Sequence, residues 1–154
     1  GHLDGKFTYW YENGQIRSEG NYKNGKLDGK WLSLYQNSQV HIKRNYKDGV
    51  LINDTKYGYF DNGQMETELE YQDNRLNGKA TFWHKNGQKF IDGSFKDDKP
   101  DGKWTFWEKN GQKDEELNYK DGDLVDRTIF KYSYFTGHLK SEKKYKDGKC
   151  ISGC

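Results

Sequence analysis

Long apolar runs are missing from this chain, and so is the hydrophobic residue count that a layered domain needs. Hydrophobic residues make up 31% of 154 positions against 32% charged, and the mean hydropathy is -1.28. No segment is apolar enough to insert into a bilayer. A conventional sandwich of this length would lack the Val, Ile and Leu to fill its interior. No helical apolar period appears, which argues against a helix bundle. Catalytic signatures are absent as well. His2, His41, His84 and His138 are scattered without metal-ligand spacing, and neither a Gly-rich phosphate loop nor a nucleophile elbow occurs. The sequence therefore implies no enzyme, no cofactor and no metal. The acid pairs Asp97-Asp98 and Glu115-Glu116 fall on a turn and on a surface strand, where acid-base or calcium chemistry is the weaker reading.

Cysteine is confined to Cys150 and Cys154. Pairing, metal coordination with a partner chain and a plain chain end all remain open at this level. Charge of one sign is lacking too. The 26 Lys and Arg are nearly balanced by 24 Asp and Glu, for a net of +2. That excludes a phosphate track, so no specific nucleic-acid binding is expected, and attraction to a membrane surface should be weak or nil. Stacking on single strands or sugars is a minor reading of the lysines and aromatics.

What the chain does have is repetition. Asn13-Gly14-Gln15 returns as Asn37-Ser38-Gln39, Asn62-Gly63-Gln64, Asn86-Gly87-Gln88, Asn110-Gly111-Gln112 and Thr136-Gly137-His138. A second turn always follows 11 residues later, beginning at Asn24, Asp48, Asp73, Asp97, Asp121 and Asp147, whereas the spacing to the next first turn is 13, 14, 13, 13 and 15. Only the connection drifts. The Asn-Gly landmark suits a two-residue type I′ turn, and the flanks are rich in Trp, Tyr, Phe, Thr and Ile. The expected fold is all-β: a single-layer, elongated antiparallel sheet of about six tandem hairpins, forming an open twisted half-pipe. One array domain should cover residues 3–154, with residues 1–2 an expression scar. At two strands per unit, six units span roughly 58 Å, with equivalent residues about 10 Å apart.

With a two-residue loop, the residue eight before each Asn faces the residue nine after it. One face then carries an aromatic ladder of Tyr22, Tyr46, Tyr71, Phe95, Tyr119 and Tyr145, joined by columns that include Phe7, Trp31, Trp104, Phe130 and Tyr132. Gly5, Gly29, Gly78 and Gly102 stand opposite the ladder, where rings lying over strand glycines would explain both. The ladder is read as structural or groove-lining. The other face is charged and crossed by a stripe of Trp10, Tyr59, Trp83 and Trp107. Packing within the sheet explains the stripe, and so does ligand contact.

The unit G-K-W-x-x-W-x-x-N-G-Q-x-x-x-E-x-x-Y-K-D-G-K resembles the MORN repeat in its bacterial variant, known from YwqK-family antitoxins and from repeat proteins of bacterial surfaces. The clearest copies run from Gly5 to Lys26, Gly29 to Asp48 and Gly102 to Gly122, while Lys56-Tyr57-Gly58 and Arg127-Thr128-Ile129 replace G-K-W in the degenerate units. The resemblance implies a scaffold without catalytic residues. The expected function is macromolecular binding, foremost of another protein, through an aromatic-lined face. Neutralisation of a cognate toxin and carbohydrate or cell-envelope binding are the alternatives. Unpaired terminal strands suggest end-to-end self-association. Localisation leans towards export or a bacterial surface, with the cytoplasm as the other option.

Overall fold

The computed structural model describes residues 2–154 and contains no helix among them. Its strands are β1 (Gly5–Trp10), β2 (Ile16–Lys23), β3 (Lys26–Leu27), β4 (Gly29–Leu34), β5 (Val40–Lys47), β6 (Val50–Tyr59), β7 (Met65–Gln72), β8 (Arg75–Trp83), β9 (Lys89–Lys96), β10 (Lys99–Pro100), β11 (Gly102–Trp107), β12 (Lys113–Lys120), β13 (Asp123–Tyr132), β14 (Leu139–Lys146) and β15 (Lys149–Ser152). All belong to one antiparallel sheet whose spatial order follows the chain, with β3 and β10 as short pieces beside β2 and β9. The sheet does not close. The expected single layer of hairpins is therefore the observed architecture.

The two turns of each unit are not what the Asn-Gly signal suggested. At the first turn, Gly14 takes a φ of 81° while Asn13 keeps a negative one. Gly14 N–H donates to Tyr11 C=O, and Tyr11 N–H to Gln15 C=O. This is a three-residue loop with a left-handed third residue, not a two-residue type I′ turn. The type I′ geometry sits at the second turn, where both central residues are left-handed: Asn24 at 51° with Gly25 at 79°, and Asp97 at 49° with Asp98 at 67°. The choice at the first turn is made by the Asn side chain. Asn62 Oδ1 accepts the N–H of Gln64 at 3.0 Å, and the same bond recurs in every unit, with Thr136 Oγ1 serving in the last.

A three-residue loop shifts the strand pairing by one residue, and a bulge shifts it back. Trp10 pairs with Ile16 but Tyr9 pairs with Ser18, leaving Arg17 unpaired. His41, Glu66, Phe90, Asp114 and Lys140 are skipped in the same way in the following hairpins. Gly5 consequently still faces Tyr22, the pairing deduced from the wrong turn. The last unit departs from the pattern. Its loop holds one more residue, since Gly137 N–H bonds Ser133 C=O and Ser133 N–H bonds His138 C=O. Arg127 rather than Thr128 now faces Tyr145. A one-residue slip reverses every side chain, so Phe130 and Tyr132 lie on the face opposite Tyr145, contrary to the sequence-based assignment.

Very little is buried. Ala80 and Thr81 are 0% exposed and Trp104 is 7% exposed, with Tyr57 and Thr105 close behind. These residues lie on both faces of the sheet, and Ser18 of the first hairpin is as buried as Trp104. Rings do cover strand glycines, but not the expected ones. A Cβ at Gly5 or Gly29 would meet nothing within 4 Å, and both take a positive φ, so glycine is required there by the backbone. The covered glycines are Gly20, beneath Phe7 and Trp31, and Gly93, beneath Trp104.

Candidate functional site

The six ladder residues Tyr22, Tyr46, Tyr71, Phe95, Tyr119 and Tyr145 share one face, and all are half-buried. The ladder is not continuous. Phe7 stacks at 4.8 Å on Tyr22 and 4.9 Å on Trp31, and Phe95 meets Trp104 edge-on at 4.9 Å. Between these groups Lys56 replaces a ring, and its ammonium lies 4.0 Å from the centre of Tyr71. That contact keeps the column closed through a cation–π interaction.

Trp10, Tyr59, Trp83 and Trp107 fall on the opposite face, beside the first turns. They are not equivalent. Trp10 is 61% exposed. Tyr59 donates its hydroxyl to Val40 C=O at 3.0 Å, and burial pushes its phenol pKa up. Trp107 has Lys89 Nζ 5.8 Å from its ring, and its carbonyl lies 2.8 Å from His84 Nε2. Trp83 and Trp107 remain half-buried with ring surface open to solvent.

The same face carries ion pairs within and between strands. Glu116 receives Lys113 at 2.7 Å and Lys103 at 2.9 Å; Lys6 holds Glu19 at 2.9 Å. Asp92 accepts from Thr81 Oγ1 at 2.8 Å and Lys89 Nζ at 3.0 Å. Burial alone would push the carboxyls of Asp92 and Glu116 up, but these hydrogen bonds outweigh it and hold both below their ordinary values. A depressed folded pKa stabilises the native state above the unfolded pKa of about 4 and stops doing so as pH falls through the folded value. Chemical denaturation should therefore give a stability that is flat above about pH 4 and falls as the pH drops from there through the folded values. In Thr81→Val the folded pKa of Asp92 moves up towards its unfolded value, so the fall should be smaller and end at higher pH, and an unchanged profile would contradict the assignment.

Several sequence candidates are engaged in structure. Asp97 and Asp98 form a turn, and Asp98 Oδ1 accepts the N–H of Leu76. Glu115 pairs with Arg127 and Glu116 with the two lysines. Cys150 and Cys154 are joined by a disulfide.

One set of functional contacts escaped the sequence reading. The N-G-Q side chains reach the next unit: Asn62 and Asn86 donate Nδ2 to Lys85 C=O at 3.0 Å and Lys109 C=O at 2.8 Å, while Gln39 and Gln112 donate Nε2 to Gly63 C=O and Gly137 C=O at 2.8 Å. Ser38 Oγ bonds Gln15 Oε1 at 2.8 Å. The motif is thus a polar seam between neighbouring turns. A repeat interval of 24 was the available signal, but side-chain reach across units is not visible in a linear pattern.

A protein-family model described as a MORN repeat variant matches residues 3–24, 27–48, 55–73, 76–97 and 100–121, more than half of the chain. The hairpin of β13 and β14 lies beyond the last matched copy. No curated protein matches the sequence significantly.

Proposed function

The chain belongs to the MORN repeat variant family and is a repeat scaffold, and from that premise we propose that it binds another protein along the face that carries Trp10, Tyr59, Trp83 and Trp107. One observation carries this reading. A folded monomer of 18.2 kDa is expected to expose about 8,100 Å², whereas this chain exposes 10326 Å². The surplus, roughly 2,000 Å², is comparable to the total area of a standard protein–protein interface. Single-layer architecture is its cause, since neither face has a second layer to cover it.

Large rings left half-buried in rows at a regular interval suit an extended protein partner, which would gain several modest contacts rather than one deep one. No group of three or more His, Cys, Asp or Glu side chains that could hold a metal competes for the same surface among the described residues.

The test is a pull-down from the native source followed by cross-linking, with wild type and the double variant Trp83→Ala, Trp107→Ala. Loss of both rings should weaken capture by about 100-fold, since central tryptophans carry around 2 kcal/mol or more each in interfaces but not additively. Capture at wild-type level by the double variant would remove the stripe from consideration. A glycan array run beside it separates carbohydrate binding, and identification of a toxin as the captured protein would select the antitoxin reading.

A further inference from the structure

On the charged face one unit replaces the lysine–acid pair with two lysines. In register, the lysine seven before the landmark and the residue six after it are diagonal neighbours on adjacent strands. This arrangement gives Lys6 with Glu19 at 2.9 Å and Lys103 with Glu116 at 2.9 Å. In the second unit the same two positions hold Lys30 and Lys43. Two ammonium groups thus stand where the first and fifth units place an ion pair.

The acids bordering the site are already engaged: Glu19 with Lys6 at 2.9 Å, Asp28 with Lys47 at 3.2 Å, and Glu70 with the N–H of Lys79 at 2.8 Å. Neither Lys30 nor Lys43 forms an ion pair among the described residues. Lys43 Nζ sits 4.9 Å from the centre of the Tyr57 ring, which fixes its direction without cancelling its charge. Both lysines border an open cavity of about 830 Å³, which Leu32, Asn45 and Thr55 also line.

We propose that this cavity, over β2, β4, β5 and β6, binds an acidic peptide segment. A Glu or Asp carboxylate of that segment sits between Lys30 and Lys43, supplying from outside the group that Glu116 supplies to Lys103. Asn45 and Thr55 provide hydrogen-bonding partners for a peptide backbone, and Leu32 gives an apolar floor between them. The chemistry favours carboxylate over phosphate. Tight phosphate sites add a nest of backbone N–H groups or a guanidinium fork to their lysines; Arg44 borders the cavity, but it lies between Trp31 and Asp54 in register, so its side chain starts from the opposite face. The cavity shares its face with the tryptophan stripe, so the inference rests on the proposed protein partner and adds its charge.

Hexaglutamate peptide is the probe. Titrated into the full chain at low salt, it should shift the amide signals of Lys30, Lys43, Asn45 and Thr55. Lys43→Glu restores the ion pair internally and should weaken binding at least tenfold. Lys43→Met, which keeps an unbranched stem over Tyr57, should weaken it by several-fold. Lys140→Glu makes the same charge change at the far end of the sheet and should alter binding less than twofold. Equal weakening by Lys43→Glu and Lys140→Glu would show mere attraction to net charge and overturn the site, as would shifts confined to other units. Inorganic phosphate or phosphatidylserine vesicles displacing the peptide from these residues would overturn the carboxylate assignment. Should the peptide fail while capture through Trp83 and Trp107 persists, only this inference falls. The converse outcome leaves the cavity and removes the stripe.

Discussion

Replacing Trp104 with alanine is expected to destabilise the protein by about 3–5 kcal/mol, the range for truncating a buried large aromatic. The ring is 7% exposed. Its Nε1–H donates to Ser94 C=O at 3.1 Å, it meets Phe95 edge-on at 4.9 Å, and its face lies on Gly93. A two-layer protein can partly collapse into the space a lost ring leaves. Here Tyr57, Ala80 and Trp104 are the only buried hydrophobic residues among the described ones, so water enters instead. Denaturant titration measures the loss, and hydrogen exchange should show β9 and β11 opening first, because each unit is stabilised mainly by its neighbours. A cost below about 1 kcal/mol would mean that the tryptophan is not a structural anchor.

The second large effect comes from adding one methyl group. A Cβ at Gly93 would lie 2.2 Å from Cδ2 and 2.5 Å from Cε2 of Trp104. Both atoms belong to the fused centre of the indole, which cannot bend aside as a chain end can. The ring must lift as a whole, losing its bond to Ser94. Gly93→Ala is therefore expected to cost about 1–3 kcal/mol, as overpacking does. The cause is contact and not backbone conformation, since Gly93 has no positive φ. That distinction is testable in a double-mutant cycle: with Trp104 already changed to alanine, Gly93→Ala should cost nothing, giving a coupling of at least about 1 kcal/mol. Additive effects would overturn the stated contact.

These two residues also show how far the sequence could be read. Repetition and β-rich flanks were enough for a single-layer sheet of hairpins, because periodic turns and a scarcity of apolar residues together leave few other architectures. The face carrying Tyr22 through Tyr145 was legible for the same reason, since alternation along a strand is a strict period of two. Gly93 beneath Trp104 was not legible, because the glycine belongs to no repeating column: the equivalent positions hold Gly20, Arg44, Leu69, Leu117 and Lys143. Turn type was misread at Asn13-Gly14, where the dipeptide fits either loop and the Asn side chain decides. Phe130 was placed on the wrong face because the extra residue in its loop was assigned to the connection before it. As for binding, the tryptophans of the stripe are legible from their position relative to each turn. Lys30 and Lys43 became informative only when strand register made them diagonal neighbours.

The junctions between units also differ in how they would carry a load. At β2 with β4 and at β9 with β11, only two residue pairs join the long strands, beside two more contributed by β3 and β10. At β5 with β6 and β12 with β13, a single ten-residue strand makes six pairs. Tension along the stacking axis pulls directly on these bonds, so the backbone ladder is uneven: two joints with fewer paired residues flank a central block running from β4 to β9, and at β9 with β11 the bond from Trp104 Nε1 to Ser94 C=O reinforces the joint. A partner spanning several units would thus meet a surface able to flex at fixed places while the rows of side chains inside the block keep their spacing.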